Sequence, residues 1–246
     1  MKKNLLTLCT LFISIFAFIS CDNATSTSGG STQGIYTVDR NFIYPELIDT
    51  FYKIDNIADF DLKNGDRAYL TLAYEYDNYF GPNFAKYSIK SVESKLSVHG
   101  LTAASEIDKE IYSSPIIAPK EVLINMSSNG VASAASWLWK NHQNISIIYK
   151  SNGTEGDFKL SPVGLSGDTL CFALNAKIED GDKYMTKLLS FDISETPNML
   201  SVEDKNKLVA FDYIYTKIST IWYDEKNDTT KIMYPFVGKD KNCFKK

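Results

Sequence analysis

Histidine and cysteine are scarce: two and four residues in a chain of 246. His99 and His142 stand far apart, with no carboxylate or cysteine at ligand spacing, so a zinc centre has little to draw on. They read as surface imidazoles. No G-x-S-x-G elbow occurs. Gly164-Leu165-Ser166-Gly167 lacks its spacing and leads into a strand pattern rather than a helix. Phosphate loops and dinucleotide fingerprints are absent. The acidic stretches Glu179–Asp182 and Asp224–Asp228 lack the spacing of a calcium loop and read as solvated turns. Basic charge is also in deficit, with 26 Lys and Arg against 30 Asp and Glu. The first 20 residues hold Lys2 and Lys3 and no acid, so the remainder is more acidic than the net charge of −4 for the whole chain. Nucleic-acid affinity rests on phosphate neutralisation, so this composition argues against such a partner. No enzyme and no cofactor are expected. What remains, 44% hydrophobic and 13% aromatic, is globular.

The N-terminus carries the most specific signal. Lys2 and Lys3 precede an apolar stretch from Leu5 to Ile19, too short to span a bilayer comfortably but fit for a secretory leader over 1–20. Phe18-Ile19-Ser20-Cys21 then resembles a bacterial lipobox, with Phe18 in place of the usual leucine and Ser20 as the small residue before the thiol. The alternative is an ordinary secretory peptide that leaves Cys21 a free thiol. Acylated Cys21 would hold the protein on a membrane, because two or three chains anchor where one is marginal. The expected location is the outer membrane, facing periplasm or cell surface. Asn23 to Gly34 (NATSTSGGSTQG) has no bulky apolar side chain, so 21–34 reads as a lipidated cysteine and flexible tether.

After Gly34 the hydrophobic period is two. Arg67–Tyr76 places Ala68, Leu70, Leu72, Tyr74 and Tyr76 on one face. Lys86–Val98, Asn144–Lys150, Asp157–Leu160, Asp168–Ile178, Met185–Phe191, Leu208–Ile218 and Lys231–Val237 continue the strands. Lys63-Asn64-Gly65-Asp66 signals a turn. Glu179–Asp182 reads as a hairpin turn into Met185, its Asp-Gly supplying positive φ. Helical signal is confined to a short helix over Val131–Lys140 and a turn or two in Ala103–Ile111. Ser113, Ser114, Pro115 and Pro119 mark a boundary between a β module at 35–112 and a β-sandwich at 113–246.

The order of these pieces resembles the NigD-like lipoproteins. They are the lipobox, the polar tether, "FDLKNGDRAYLTLAYEY", and "GLSGDTLCFALNAKIEDGD" leading into "KLLSFDIS". The resemblance implies an all-β fold, a small OB-like barrel followed by an antiparallel sandwich with one or two short helices. It transfers no catalytic residue, and its link to bacteriocin production or immunity comes through the name alone.

Other candidates remain. Tyr79, Phe80 and Phe84 flank Gly81-Pro82-Asn83 and form either an exposed recognition loop or a cap on the barrel end. Cys171 and Cys243 either close a bridge, worth roughly 4 kcal/mol on the chain-entropy argument, or remain free thiols. Thr229, and less favourably Thr169, lie in tripeptides resembling the Asp-Ser/Thr-aliphatic acceptor of bacterial O-glycosylation. The expectation is a non-catalytic, membrane-anchored binding module for a protein or glycan. A structural envelope component and a hydrolase with an unrecognised site are the alternatives.

Overall fold

The computed structural model describes residues 29–48, 50–76, 85–127 and 130–245. The leader, Cys21 and the Tyr79, Phe80 and Phe84 segment lie outside the described residues. Five strands come first: β1 (Gly29–Asp39), β2 (Phe42–Pro45), β3 (Tyr52–Lys53), β4 (Arg67–Tyr76) and β5 (Ala85–Lys95). They pair antiparallel in the order β3-β2-β1-β4-β5. A parallel bridge from Ile54 to Tyr87 joins the end of β3 to β5 and curls the sheet into a barrel. This is the OB-like arrangement. The expected alternation of β4 is real. Ala68, Leu70 and Leu72 are fully buried, packed against Tyr36, Val38, Ile43 and Ile54. The turn into β4 uses Gly65 at φ 89°, and Asp66 Oδ2 accepts a hydrogen bond from Lys63 N at 2.8 Å.

The later strands are β6 (Val98–His99), β7 (Ala118–Pro119), β8 (Val122–Ser127), β9 (Gly130–Ala134), β10 (Ser136–Trp139), β11 (His142–Ser151), β12 (Asp157–Ser166), β13 (Thr169–Lys177) and β14 (Lys183–Asp192). Helices α1 (Thr196–Met199) and α2 (Val202–Leu208) precede β15 (Tyr213–Asp224) and β16 (Thr229–Lys241). One sheet runs β10-β11-β14-β6, with β7 on β11, and another β12-β13-β15-β16. Ile145, Ile147, Leu189 and Phe191 from the first pack on Leu160, Phe172, Ile218 and Phe236 from the second, which makes the sandwich core. The all-β class with few short helices is the one expected.

Several expectations are corrected. Gly29–Gly34 is not tether but the first half of β1, paired with β4 from Gly29↔Glu75 to Gly34↔Leu70. The strand packs through its backbone: a Cβ on Gly30 would sit 2.5 Å from Tyr74 Oη, and one on Gly34 2.6 Å from the Ile124 carbonyl oxygen. The Val131–Lys140 segment is not helical. Its alanines are good helix formers, but sheet pairing to β8 and β11 and burial of Trp137 override that preference. Glu179–Asp182 is not a hairpin turn, because β13 and β14 lie in different sheets. Gly181 is required for close approach instead, since a Cβ there would fall 2.3 Å from Asn152 N. A boundary near 112 does not part the hydrogen-bonded units. The β8–β9 hairpin joins the barrel sheet at Gly34↔Asn125, while β6 joins the sandwich at Ser190↔Val98.

Candidate recognition surface

Between barrel and sandwich lies a buried polar cluster. Arg67 opens β4 and Glu46 follows β2, and their side chains are 1% and 0% exposed. Arg67 Nε donates to Glu46 Oε1 at 2.9 Å, and Nη2 donates to the same carboxylate and to Asn144 Oδ1 at 2.9 Å. Nη1 donates to Ser190 Oγ. The other carboxylate oxygen accepts from Trp137 Nε1 at 2.6 Å. Burial pushes the Glu46 carboxyl above its ordinary range, against the pull of Arg67 and Trp137. The planar guanidinium suits a site with several acceptors in fixed directions. Ile35 adds apolar contact at this seam by packing with Ile124 and Trp137.

The cluster fixes the end of β2 against the sandwich, and an aromatic surface sits on that strand. Ile43 points into the barrel core, so Phe42 and Tyr44 point out. Phe51, 58% exposed, lies edge-on to Phe42 at 5.4 Å and tilted to Tyr44 at 5.9 Å. Lys140 reaches over from the β10–β11 turn, its Nζ 5.1 Å from the Tyr44 ring centre and 5.6 Å from that of Trp139. That turn is held with Lys140 at φ 53° and its backbone N–H donated to Asp240 Oδ2 at 2.7 Å. Three rings and a positioned ammonium form a candidate recognition surface. The β2–β3 face is also where OB folds bind ligands. The period-two spacing of Phe42 and Tyr44 around Ile43 was the signal for it, but only the tertiary fold brings Lys140 alongside.

His142 is half-buried rather than a surface imidazole. Burial, and then the positive charge of Arg67, lower its pKa to about 4, with Asp192 opposing, so it is neutral near pH 7. At the barrel end, Tyr52 stacks on Tyr87 at 4.1 Å, and Tyr74 lies 5.9 Å from Tyr87. Burial pushes the Tyr87 hydroxyl up to about 12.

The remaining candidates are dispersed. Cys171 is half-buried on β13 and Cys243 follows β16, both as free thiols. Cys171 lies beside Lys217, and Lys217 beside Val237. From there β16 runs on to Lys241, roughly 13 Å along the strand, before the chain reaches Cys243, which is beyond the reach of a disulfide. Thr169 is half-buried at the start of β13, and Thr229 is exposed at the start of β16. In the Glu179–Asp182 turn, the Glu179 carboxylate already accepts from Asn152 Nδ2 at 2.6 Å. Among the described residues, no group of three or more His, Cys, Asp or Glu is placed to hold a metal ion.

No protein-family model and no curated protein matches the chain. Solved structures do. A NigD-like immunity protein from Bacteroides caccae aligns over 86% of this chain and 94% of its own, at 15% identity and a TM-score of 0.50. A protein described as toxin related, from Parabacteroides distasonis, aligns over 87% and 96%, at 12% identity and 0.50. An uncharacterized protein from Parabacteroides merdae aligns over 86% and 98%, at 15% identity and 0.51. At these identities the likeness is one of fold, and it spans both halves: the chain has the all-β fold of these Bacteroidetes proteins, a NigD-like immunity protein among them.

Proposed function

We propose that this chain is an exported lipoprotein, anchored through acylated Cys21, that acts as a non-catalytic binding module at the cell envelope. The observation that carries the reading is the Phe42–Tyr44–Phe51 surface with Lys140 over it. Half-buried rings beside an exposed one, with a cation over them, are the chemistry of protein recognition, where aromatics supply large contact area at low entropic cost. The buried Glu46–Arg67 cluster supports it by holding that surface against the sandwich, since a preorganised surface loses less on binding. The partner in this reading is an envelope or secreted protein. The names of two fold neighbours, an immunity protein and a toxin-related one, make a bacteriocin-type polypeptide the first partner to try.

Two measurements test the reading. Substituting Cys21→Ser is expected to move the protein from the membrane to the soluble fraction, and a variant that still sediments and resists salt refutes the anchor. Crosslinking on intact cells is expected to capture a partner that is lost in Phe51→Ala/Tyr44→Ala. Capture undiminished in that variant, with its fold intact by circular dichroism, refutes the surface.

A further inference from the structure

A second surface lies on the outer face of the β12-β13-β15-β16 sheet. Strand alternation sends Ile214, Thr216 and Ile218 inward and Tyr213, Tyr215 and Lys217 outward. Tyr213 is 49% exposed and Tyr234, on β16, 55%. Pairing sets Tyr215 beside Lys239 and Lys217 beside Val237. Lys239 Nζ stands 5.0 Å from the Tyr215 ring centre and 5.4 Å from that of Tyr213, and Lys217 Nζ stands 4.4 Å from that of Tyr234. On the neighbouring strands Cys171 pairs with Gly164, and Ala173 with Ser161. Beside the tyrosines and lysines lie the half-buried Cys171 and Gly164 and the exposed Val163 of β12.

The charge of this face is only partly balanced from within: the Asp168 carboxylate acts on Lys239, which also hydrogen-bonds the Tyr215 side chain. Among the described residues, neither Lys217 nor Lys239 forms an ion pair, and both ammoniums rest on rings instead. In a chain of net charge −4 this face holds two lysines outside any ion pair among the described residues. The composition that argues against nucleic acid is an average and does not describe this face. A cation already seated on an exposed ring can take an incoming anion without leaving it. The surface therefore asks for a ligand with flat apolar faces and regularly placed negative charge. A uronate-bearing polysaccharide has both, a pyranose C–H face to lie on tyrosine and a carboxylate on each ring for lysine. An added peptide strand fits less well. The outer strand β16 carries Lys231, Pro235, Lys239 and Lys241 and a register shift, which are devices that discourage strand addition.

We infer that this sheet face binds an acidic, hexuronate-type polysaccharide through Tyr213, Tyr215, Lys217 and Lys239. This is a site separate from the barrel surface. The test is affinity electrophoresis and titration calorimetry of the purified full chain with polygalacturonate, with neutral galactan and polyglutamate as comparators. Polygalacturonate is expected to retard the protein and neutral galactan is not. Lys217→Glu/Lys239→Glu and, separately, Tyr213→Ala/Tyr215→Ala are each expected to weaken binding by roughly tenfold or more, as two exposed ion pairs or two ring contacts allow. The Phe51→Ala variant is expected to bind as the parent does, so failure here and failure of the barrel reading are distinguishable. The inference is overturned if polygalacturonate does not retard the chain, if galactan retards it equally, or if either pair of substitutions leaves binding unchanged. It is equally overturned if polyglutamate binds as tightly and survives loss of both tyrosines, which would leave only a cationic patch.

Discussion

Removing the Arg67 guanidinium tests how the two halves are joined. Arg67→Met keeps the aliphatic stem and deletes every donor that Arg67 gives to Glu46, Asn144 and Ser190. Glu46, 0% exposed, is left with Trp137 Nε1 at 2.6 Å and Asn144 Nδ2 at 3.5 Å. Breaking a buried pair from one side costs about 3–5 kcal/mol, because the surviving charge is uncompensated. That is about a fifth or more of the roughly 5–15 kcal/mol by which a domain is stable. At about 2–4 °C per kcal/mol for a chain of this size, melting is expected to fall by roughly 6–20 °C. Arg67→Met/Glu46→Leu removes the stranded charge along with its partner and is expected to recover at least half of the loss. Thermal and urea melts followed by circular dichroism measure both. The reasoning is refuted if Arg67→Met melts within about 2 °C of the parent, or if the double variant is no more stable than the single.

Gly181→Ala is expected to cost on the order of 2 kcal/mol or more, because its Cβ would meet the Asn152 backbone. Gly100→Ala, which has open space, is expected to stay within about 0.5 kcal/mol of the parent in the same melts. The depressed pKa of His142 means that the unfolded chain takes a proton the folded one refuses. Its contribution to stability is therefore present above pH 6.5 and lost as pH falls toward 4. Urea midpoints across that window are expected to drop less steeply in His142→Asn, and a His142 imidazole titrating near 6.5 by NMR would contradict this. Alkylation of unreduced, denatured mature protein is expected to label both Cys171 and Cys243, and labelling of neither would mean a bridge. Of the two acceptor-like threonines, exposed Thr229 is the one expected to carry a glycan; an intact mass equal to the lipidated polypeptide alone disposes of it.

The sequence was most readable where a strand buries one face. Leu70 and Leu72 in β4, and Leu170, Phe172 and Leu174 in β13, follow the period of two and are buried as expected. It misled where burial is by backbone. Gly29–Gly34 has the composition of a linker, yet its glycines let Tyr74 and the Ile124 carbonyl approach. Helix α2 runs into the expected Leu208–Ile218 strand, its start marked by Ser201, which accepts from Asp204 N at 3.1 Å in a Ser-x-x-Asp pattern. The seam was beyond reach of local pattern. Asn144 and Ser190 lie 77 and 123 residues from Arg67, and no periodicity links them. Lys140 above Tyr44 is joined to it by no local pattern either, being 96 residues further along the chain.

The pairing of Gly34 with Asn125 bears on the order of folding. A chain emerging N-terminus first presents β1 to β5 long before the hairpin that borders β1 exists, and Arg67 must wait for Asn144 and then Ser190. Until then the first half holds a charged pair with too few partners and an unfinished sheet margin. Such contacts of high sequence separation are closed late and slowly. The two halves are thus expected to unfold in one transition rather than two. A fragment ending near residue 112, despite containing all five barrel strands, is expected to melt without a cooperative transition of its own.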